Sequence, residues 1–432
     1  MGNTSSSGIS SSSKPPVLRL LRLFAVTGAV LGGSLFDSVI RRRTDFTSAL
    51  AKRTRRAFER LGPTFVKAGQ LMSSSAALLP EKWMKEMAHC CDEVPPTPWK
   101  VVSELLDSEL GACSDEIVYM EQTPIAAGSM AQVYAARLAN GEEVVVKVQR
   151  PHLEKVLAKD IRILKNVAKV AMRLSSKCAA ANPHALVEGF SQGLSQQLSF
   201  RREAENAQSM RTSLSRIGVS VPKIYRHLST DRVLVMQRMS GHRLDDAAEI
   251  DKAGIDRARL VTSIVGALMV PALGSGVFHG DMHPGNMVAL PDGTLGLFDF
   301  GVVEELDPPT RVATAELFEA LASRNYAEVV MAMFSMIEHA DVDFGEMIPD
   351  IQAFVSRYID RSLGAMDVRE AIDGMLCLAS SYDLPLPAPL VSFLKQVLYI
   401  SGICQLLDPE FDVLEDISGS LVAAREAQQA AA

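Results

Sequence analysis

The sequence has few of the features that mark several common protein classes. Its six cysteines form no C-x-x-C pair and have no histidine at zinc-ligand spacing; they lie at positions 90, 91, 113, 178, 377 and 404. This distribution excludes a disulfide framework and a zinc knuckle as the basis of the fold, and it favours a reducing compartment.

An excess of positive charge is also missing. The 432 residues carry a net charge of −7, so nucleic acid is not expected as a partner. A clean membrane-spanning run near the N-terminus is missing as well. The apolar stretch from Leu18 to Phe36 is broken by Arg19, Arg22 and a Gly-Gly pair, which leaves about fourteen clean residues where a spanning helix needs ~20.

The first 44 residues nevertheless differ from the rest of the chain. Residues 1–43 carry a net charge of +5, whereas everything after them carries −12. Two interpretations of residues 1–44, called the leader below, remain open. The favoured one is a basic, apolar helix on an anionic membrane surface, and the other is an organellar transit peptide, because serine and arginine are plentiful and acids scarce.

The body of the chain, at 47% hydrophobic residues overall, has enough apolar side chains for two or three domains. Residues 45–115 read as a helical extension and residues 116–240 as a small antiparallel sheet with inserted helices. Residues 241–432 read as a helical lobe that holds one hairpin. The apolar run 258–278 is expected to be a buried helix of that lobe, because Pro271 and the polar His279-Gly280-Asp281 argue against a membrane span.

Alternating apolar residues and turn signals predict the strands. Asn140-Gly141 is a strong hairpin signal between two alternating runs. The predicted strands are Gln132 to Leu138, Glu142 to Val148, Val219 to Tyr225, Val233 to Met239, Met287 to Leu290 and Leu295 to Phe300.

The strongest chemical signal lies on the last hairpin. His279-Gly280-Asp281-Met282-His283-Pro284-Gly285-Asn286 is followed, thirteen residues after Asn286, by Asp299-Phe300-Gly301. The hairpin returns the chain so that Asp299 arrives beside Asn286, and two oxygen ligands then suit Mg²⁺. Asp281 is left to accept or orient the proton of an acceptor hydroxyl. The alternative is a surface turn with unrelated acids, which this combination of spacings disfavours.

Lys147 is the second signal, because it is the one basic residue in the apolar strand Val144 to Val148. Alternation puts it on one face with Val145. A buried ammonium needs phosphate or carboxylate partners, whereas an edge lysine that reaches solvent is the plainer alternative. The residues alone leave the carboxylate partner open between Glu203 and Glu205. The small residues Ala126, Ala127, Gly128 and Ser129 precede the first hairpin strand, where backbone N–H groups can approach phosphate oxygens.

With these residues in view, the chain resembles the UbiB/ADCK-type atypical protein-kinase-like family from about Leu61 to Leu414. The motifs that carry the resemblance are Lys67-Ala68-Gly69-Gln70 for K-x-G-Q, the Ala-rich loop Ala126 to Ser129, the strand that ends at Lys147 to Pro151, Glu203 to Asn206 for E-A-x-N, His279 to Asn286, and Leu407 to Asp412.

The resemblance implies an α+β, protein-kinase-like two-lobe fold with an N-terminal helical K-x-G-Q extension. It assigns Glu203 as the partner of Lys147, and these two residues join Asp281 as the catalytic residues. It assigns ATP and Mg²⁺ as cofactors, with the metal on Asn286 and Asp299. Val145 and Gln237 join the Ala126 to Ser129 loop and Lys147 as nucleotide-contacting residues, and Lys67 and Gln70 mark the family motif. Gln197 and Ser199 replace the acidic pair that the family usually carries before the E-A-x-N helix.

The implied function is an ATPase or a small-molecule or lipid phosphotransferase that supports biosynthesis of ubiquinone or a related isoprenoid quinone. The expected partners are ATP, a lipid or isoprenoid small molecule, an anionic membrane surface and a biosynthetic protein complex. The expected location is the bacterial cytoplasm at a membrane, with a mitochondrion or plastid as the alternative. Two other functions stay open: an ATP-binding pseudokinase scaffold, and a small-molecule kinase of the aminoglycoside type.

Overall fold

A computed structural model describes residues 46–73, 81–90, 95–174, 183–323, 326–335, 347, 349–350, 353–354, 368–382, 384, 386–411, 416–417 and 419–424. The leader lies outside these residues, so both interpretations of it stay predictions. The cysteines that the structure describes, Cys90, Cys113, Cys377 and Cys404, are free thiols.

Helices account for most of the described chain. In chain order they are α1 (Phe46–Leu61), α2 (Pro63–Ser73), α3 (Glu81–Ala88), α4 (Trp99–Leu110), α5 (Leu153–Leu174), α6 (Pro183–Gln197), α7 (Phe200–Arg216), α8 (Ala247–Lys252), α9 (Arg257–Gly274), α10 (Pro308–Ala322), α11 (Tyr326–Ser335), α12 (Val368–Ser381) and α13 (Ala388–Leu407). Short 3-10 helices lie at Gly111–Glu116, Arg226–Leu228 and Pro284–Asn286.

Within the described residues, the strands are short and fall into three sheets. In chain order they are β1 (Ile117–Met120), β2 (Ala126–Ala127), β3 (Ala131–Leu138), β4 (Glu143–Gln149), β5 (Val219–Ser220), β6 (Val233–Gln237), β7 (His242–Arg243), β8 (Val277–His279), β9 (Met287–Ala289), β10 (Leu295–Leu297) and β11 (Val303–Glu305). The sheet orders are β1-β3-β4-β6 with β2 on β3, then β5-β10-β9-β7, then β11-β8.

The chain divides into two compact units. The first contains the described residues up to Pro95, together with Gly128–Met130 and Arg150–Leu194, and the second contains the rest. In the first unit, α2 carries Lys67 and Gln70, both half-buried. A Cβ at Gly69 would lie 2.5 Å from Cys90 Sγ, so the close packing of this helix explains why its motif contains a glycine.

The second unit holds the hairpin that the sequence predicted. β3 and β4 pair antiparallel, and the turn between them places Gly141 at a φ of +86°. Val144, Val146 and Val148 pack into one apolar cluster, whereas Val145 packs into another with Phe200. The predicted alternation is therefore confirmed, and it puts Lys147 on the Val145 side.

The prediction of a strand from Val219 to Tyr225 is wrong over most of its length. Only Val219–Ser220 is a strand, and it pairs in parallel with β10 in the second sheet. Pro222 lacks a backbone N–H, so it cannot donate to a continuous ladder. Ile224 makes a single bridge to Met236.

The last hairpin is also shorter than predicted. β9 ends at Ala289 and β10 ends at Leu297. The second strand stops there because the chain turns sharply at Asp299, which has a φ of +64°. Aspartate tolerates this left-handed conformation better than most residues do.

A buried helix forms the centre of the helical half. Residues Leu260 to Gly274 of α9 are buried except at Thr262 and Ser263, as expected for the core helix predicted at 258–278. Within the described residues, α9 and α13 are long and apolar enough to cross a membrane, and 72% and 56% of their apolar windows are buried inside the protein. Such burial is typical of the core helices of globular proteins.

Candidate active site

A largely buried lysine with two carboxylate partners forms the centre of the site. Lys147 Nζ lies 2.8 Å from Glu203 Oε1 and 3.0 Å from Glu203 Oε2. The same ammonium donates to Asp299 Oδ1 at 3.0 Å. The side chains of Lys147 and Glu203 are only 12% and 4% exposed, whereas that of Asp299 is 43% exposed. One charge-assisted network therefore joins strand β4, helix α7 and the turn after β10.

Burial and charge act in opposite directions on this network. Burial lowers the pKa of Lys147, but the carboxylates of Asp299 and Glu203 outweigh it and raise the pKa above its ordinary value. Burial raises the pKa of Glu203 to about 7, and Asp299 adds to this rise while Lys147 opposes it. The lysine is therefore a fixed cation, which is the property that a phosphate-binding group needs.

The start of helix α7 positions Glu203. Ser199 is the N-cap, and its Oγ accepts a hydrogen bond from Arg202 N at 3.3 Å. Glu203 then falls in the first turn, where the helix dipole favours a carboxylate. Glu205 is exposed and lies 4.0 Å from Arg226, so the structure pairs Lys147 with Glu203. Ser199, which departs from the family's acidic pattern, serves here as a helix cap.

The loop around Asp281 is held by hydrogen bonds within the motif. Asp281 N donates to His279 Nδ1 at 3.1 Å, and Asn286 N donates to His283 O at 2.9 Å. Burial lowers the pKa of His279, so its imidazole is neutral at physiological pH. The Asp281 side chain remains 42% exposed, which leaves it accessible to a substrate.

Asn286 connects this loop to the turn that carries Asp299. Its Nδ2 donates to Asp281 O at 2.9 Å, so the amide oxygen is the end that remains for a ligand. Its backbone oxygen accepts from Phe298 N at 3.0 Å, one residue before Asp299. The structure thus brings together the three residues that the sequence singled out.

These donors fit a magnesium ion. Asn286 offers an amide oxygen and Asp299 a half-exposed carboxylate. Among the described residues, no cluster of three or more His, Cys, Asp or Glu side chains is arranged to hold a metal. A hard cation that takes two protein oxygens and completes its shell with phosphate and water oxygens matches this donor set.

Two residues that complete the site carried no assigned role from the sequence. Asn206 Nδ2 donates to Phe300 O at 2.9 Å. Helix α7 therefore contacts the turn that carries Asp299 and, through Glu203, it also contacts Lys147. Gln396 on α13 is fully buried; its Nε2 donates to Gly280 O at 2.7 Å and its Oε1 accepts from Met282 N at 2.8 Å. Gln396 therefore braces the loop on both sides of Asp281. A glutamine inside the apolar α13 is the signal that points to it.

We expect the substitution Gln396→Leu to lower the free energy of unfolding by about 1–3 kcal/mol. It leaves the carbonyl of Gly280 and the N–H of Met282 without their partner, and an orphaned buried polar group costs about that much. Gln405→Leu is the matched control, because Gln405 is an exposed glutamine on the same helix. Urea unfolding measures both, and equal stability of the two variants would show that Gln396 does not brace the loop.

The other predicted nucleotide residues are more dispersed. Val145 is buried on the Lys147 side of β4, and Ala126–Ala127 form β2, which pairs with β3. Gln237 ends β6, where its Oε1 accepts from Lys223 N at 3.3 Å. Gly128 and Ser129, like Lys67 and Gln70, belong to the first unit. Their contact with nucleotide stays a prediction.

The fold mixes helices and sheets, and it pairs a strand lysine with a helix glutamate. A hairpin carries Asp281, Asn286 and Asp299. Together these features define a kinase-like protein. The profile of the ABC1 atypical kinase-like domain matches residues 89–333. The chain belongs to this family, and the resemblance to UbiB/ADCK-type proteins is confirmed.

Similar proteins come from bacteria and from plants. An uncharacterised Mycobacterium tuberculosis protein is 34% identical over 399 residues, which cover 87% of this chain and 78% of that protein. The chloroplastic Arabidopsis thaliana protein named ACTIVITY OF BC1 COMPLEX KINASE 1 is 29% identical, over 88% of this chain and 56% of that protein.

A solved structure supports the fold. An M. tuberculosis protein determined as a complex with erythromycin superposes with a TM-score of 0.55 and 22% identity, over 84% of this chain and 93% of that one. At this identity the likeness shows a shared kinase-like fold. The predicted fold class is therefore confirmed.

Proposed function

We propose that this protein is an ATP-dependent phosphotransferase or ATPase of the atypical kinase type. One observation carries the proposal: the buried Lys147 ammonium contacts both Glu203 and Asp299, and Asp299 follows directly on the residue that is hydrogen-bonded to Asn286. Kinases use this arrangement to hold the phosphates of ATP and a magnesium ion. In this proposal Lys147 clamps the phosphates, while Asn286 and Asp299 hold the metal, which would neutralise the charge that builds up on the phosphate oxygens.

Asp281 acts on the acceptor. Its half-exposed carboxylate takes the proton of the acceptor hydroxyl, or of water in an ATPase. The acceptor oxygen forms a bond to the γ-phosphorus as the bond from that phosphorus to the bridging oxygen breaks, and ADP leaves with the electron pair. Gln396 and Asn286 keep the backbone of Asp281 in place during this exchange.

The main competing function is a nucleotide-binding scaffold without useful catalysis. The complete set of Lys147, Glu203, Asp281, Asn286 and Asp299 favours catalysis, because a pseudokinase has no need to retain all of these groups. Single-turnover phosphate release from ATP by the purified protein with Mg²⁺ separates the two functions. Release above the rate of ATP alone supports an enzyme, and its absence, with lipid and quinone-like headgroups present, supports the scaffold.

We further propose that the reaction serves ubiquinone or a related isoprenoid quinone, at a membrane surface in bacterial cytoplasm. The support is the family resemblance together with the basic, apolar leader. Relatives include both bacterial and chloroplastic proteins, so a plastid or mitochondrion is the alternative location. Loss of lipid quinone from a deletion strain would support the pathway, and an unchanged quinone content would contradict it.

We expect a chain truncated up to Arg43 to stay in the supernatant with anionic liposomes, while the full chain sediments with them. The truncation removes a net charge of +5 and the apolar run from Leu18 to Phe36. Liposome sedimentation at physiological salt measures this difference. A truncated chain that still pellets with anionic vesicles would place membrane binding elsewhere in the protein.

A further inference from the structure

One face of helix α13 lies against the loop that carries Asp281. Gln396 on this face bonds to the backbone on both sides of Asp281. One turn earlier, Ser392 Oγ donates to Glu304 Oε1 at 2.6 Å. A Cβ added to Gly280 would lie 3.0 Å from the same Glu304 oxygen. Helix, loop and strand β11 are therefore in contact around Asp281.

Lys395 and Tyr399 lie on this face of the helix, three residues after Ser392 and Gln396 respectively. Lys395 Nζ lies 5.5 Å from the centre of the Tyr399 ring, a cation–π arrangement. Tyr399 is 39% exposed, so this part of the helix face is open to solvent, whereas Lys395 is half-buried. The charged groups that act on Lys395 are Asp281 and Glu304, and burial outweighs both to lower the pKa of the lysine.

The ammonium of Lys395 differs in its partners from those of Lys147 and Lys223, two other lysines of this unit. Lys147 contacts two carboxylates, and the exposed Lys223 contacts Glu142 at 3.0 Å while it sits over the Tyr225 ring. In the part of the chain that the structure describes, no carboxylate is in ion-pair contact with Lys395. A partly desolvated ammonium without a carboxylate partner is stabilised strongly by an anionic group that a ligand brings to it.

We propose that Lys395 binds an oxyanion, a phosphate or carboxylate group, carried by the phosphoryl acceptor beside the hydroxyl that faces Asp281. This inference rests on the proposed function, and it names the acceptor class as an anionic alcohol. The γ-phosphate of ATP is the other source of an oxyanion here. The acceptor is favoured because Lys395 lies on the helix that holds the backbone on both sides of Asp281, whereas Asp299 lies against Lys147. Tyr399 offers an aromatic surface at the rim for the rest of the acceptor.

Binding of inorganic phosphate tests the proposal without any turnover. Calorimetric titration is done on the full chain saturated with Mg²⁺ and a non-hydrolysable ATP analogue, which fills the γ-phosphate position. We expect Lys395→Met to weaken phosphate binding by about tenfold or more, the size of one lost charge-assisted hydrogen bond. Lys395→Arg should keep the affinity within about threefold, because it keeps the charge. Lys223→Met is the matched control, because Lys223 also lies over a tyrosine ring but already has a carboxylate partner. This variant should bind phosphate as tightly as the unchanged chain does.

Equal phosphate affinity in the unchanged chain and Lys395→Met overturns the proposal, as does an unchanged chain that binds no phosphate. A repeat with MgADP distinguishes the two sources of oxyanion. If Lys395→Met weakens phosphate binding to the MgADP complex but not to the analogue complex, the anion is the γ-phosphate and the assignment to the acceptor is wrong. Failure of the proposed function is a separate result, seen as absent phosphate release from ATP by the unchanged chain.

Discussion

Asp281→Asn is expected to retain nucleotide binding and to slow ATP turnover by roughly 10²–10⁴-fold, the usual contribution of a positioned acid or base. The asparagine keeps the size of the side chain but cannot take up a proton. The backbone bonds that hold the loop, from Gln396 and Asn286, do not involve the Asp281 carboxylate and should persist. Single-turnover phosphate release at saturating MgATP measures the effect.

The matched control for this variant is Glu305→Gln. Glu305 is an exposed acid at the end of β11, and this change also replaces a carboxylate with an amide of similar size. It should leave turnover within about twofold of the unchanged chain, since a surface substitution outside the site has little effect. Turnover by Asp281→Asn equal to that of this control would remove Asp281 from the mechanism.

Lys147→Met is expected to lower the free energy of unfolding by about 3–5 kcal/mol near pH 8, besides weakening ATP binding. The change removes the cation from a pair whose side chains are only 12% and 4% exposed and leaves the Glu203 carboxylate buried without a partner. Removal of one member of a buried pair has a cost of this size. Urea unfolding measures the difference, and the exposed Lys223→Met is the control.

The stability deficit of Lys147→Met should shrink at acid pH. Burial raises the folded-state pKa of Glu203 to about 7 from an ordinary value of 4.5. The folded protein then holds this proton more tightly than the unfolded chain, so stability falls as the pH rises between these two values. Lys147 opposes the rise in the pKa of Glu203, so its removal extends to higher pH the range over which stability falls. A deficit as large at pH 5 as at pH 8 would show that the buried charge of Glu203 is not its cause.

Local patterns in the sequence predicted much of the fold. The turn Asn140-Gly141 and the alternation in Val144 to Val148 have a local cause, and the structure contains the hairpin and both of its faces. The run at 258–278 was recognisable as a buried helix from its composition. The strand predicted from Val219 to Tyr225 is wrong over most of its length, because the segment is apolar but contains Pro222, which cannot donate a backbone hydrogen bond. The pairing of β5 with β10 is long-range and leaves no local signal.

The candidate site was likewise predictable from the sequence where its residues are close together along the chain, and not where they are far apart. Spacing alone linked Asp281, Asn286 and Asp299, because a short hairpin must return its strands to one place. The choice between Glu203 and Glu205 depends on the angular position of each side chain around α7, and the structure pairs Glu203 with Lys147. Gln396 lies 114 residues after Met282, so no local spacing could connect the two.

We propose above that Asn286 and Asp299 hold a magnesium ion on ATP opposite Lys147. Calorimetric titration of ATP, with Mg²⁺ and then with excess EDTA, tests it most directly on the unchanged chain and on Asp299→Asn. We expect the unchanged chain to bind ATP more tightly with Mg²⁺ than with EDTA, and Asp299→Asn to lose most of this difference. ATP affinity that is the same with and without Mg²⁺ in the unchanged chain would contradict it.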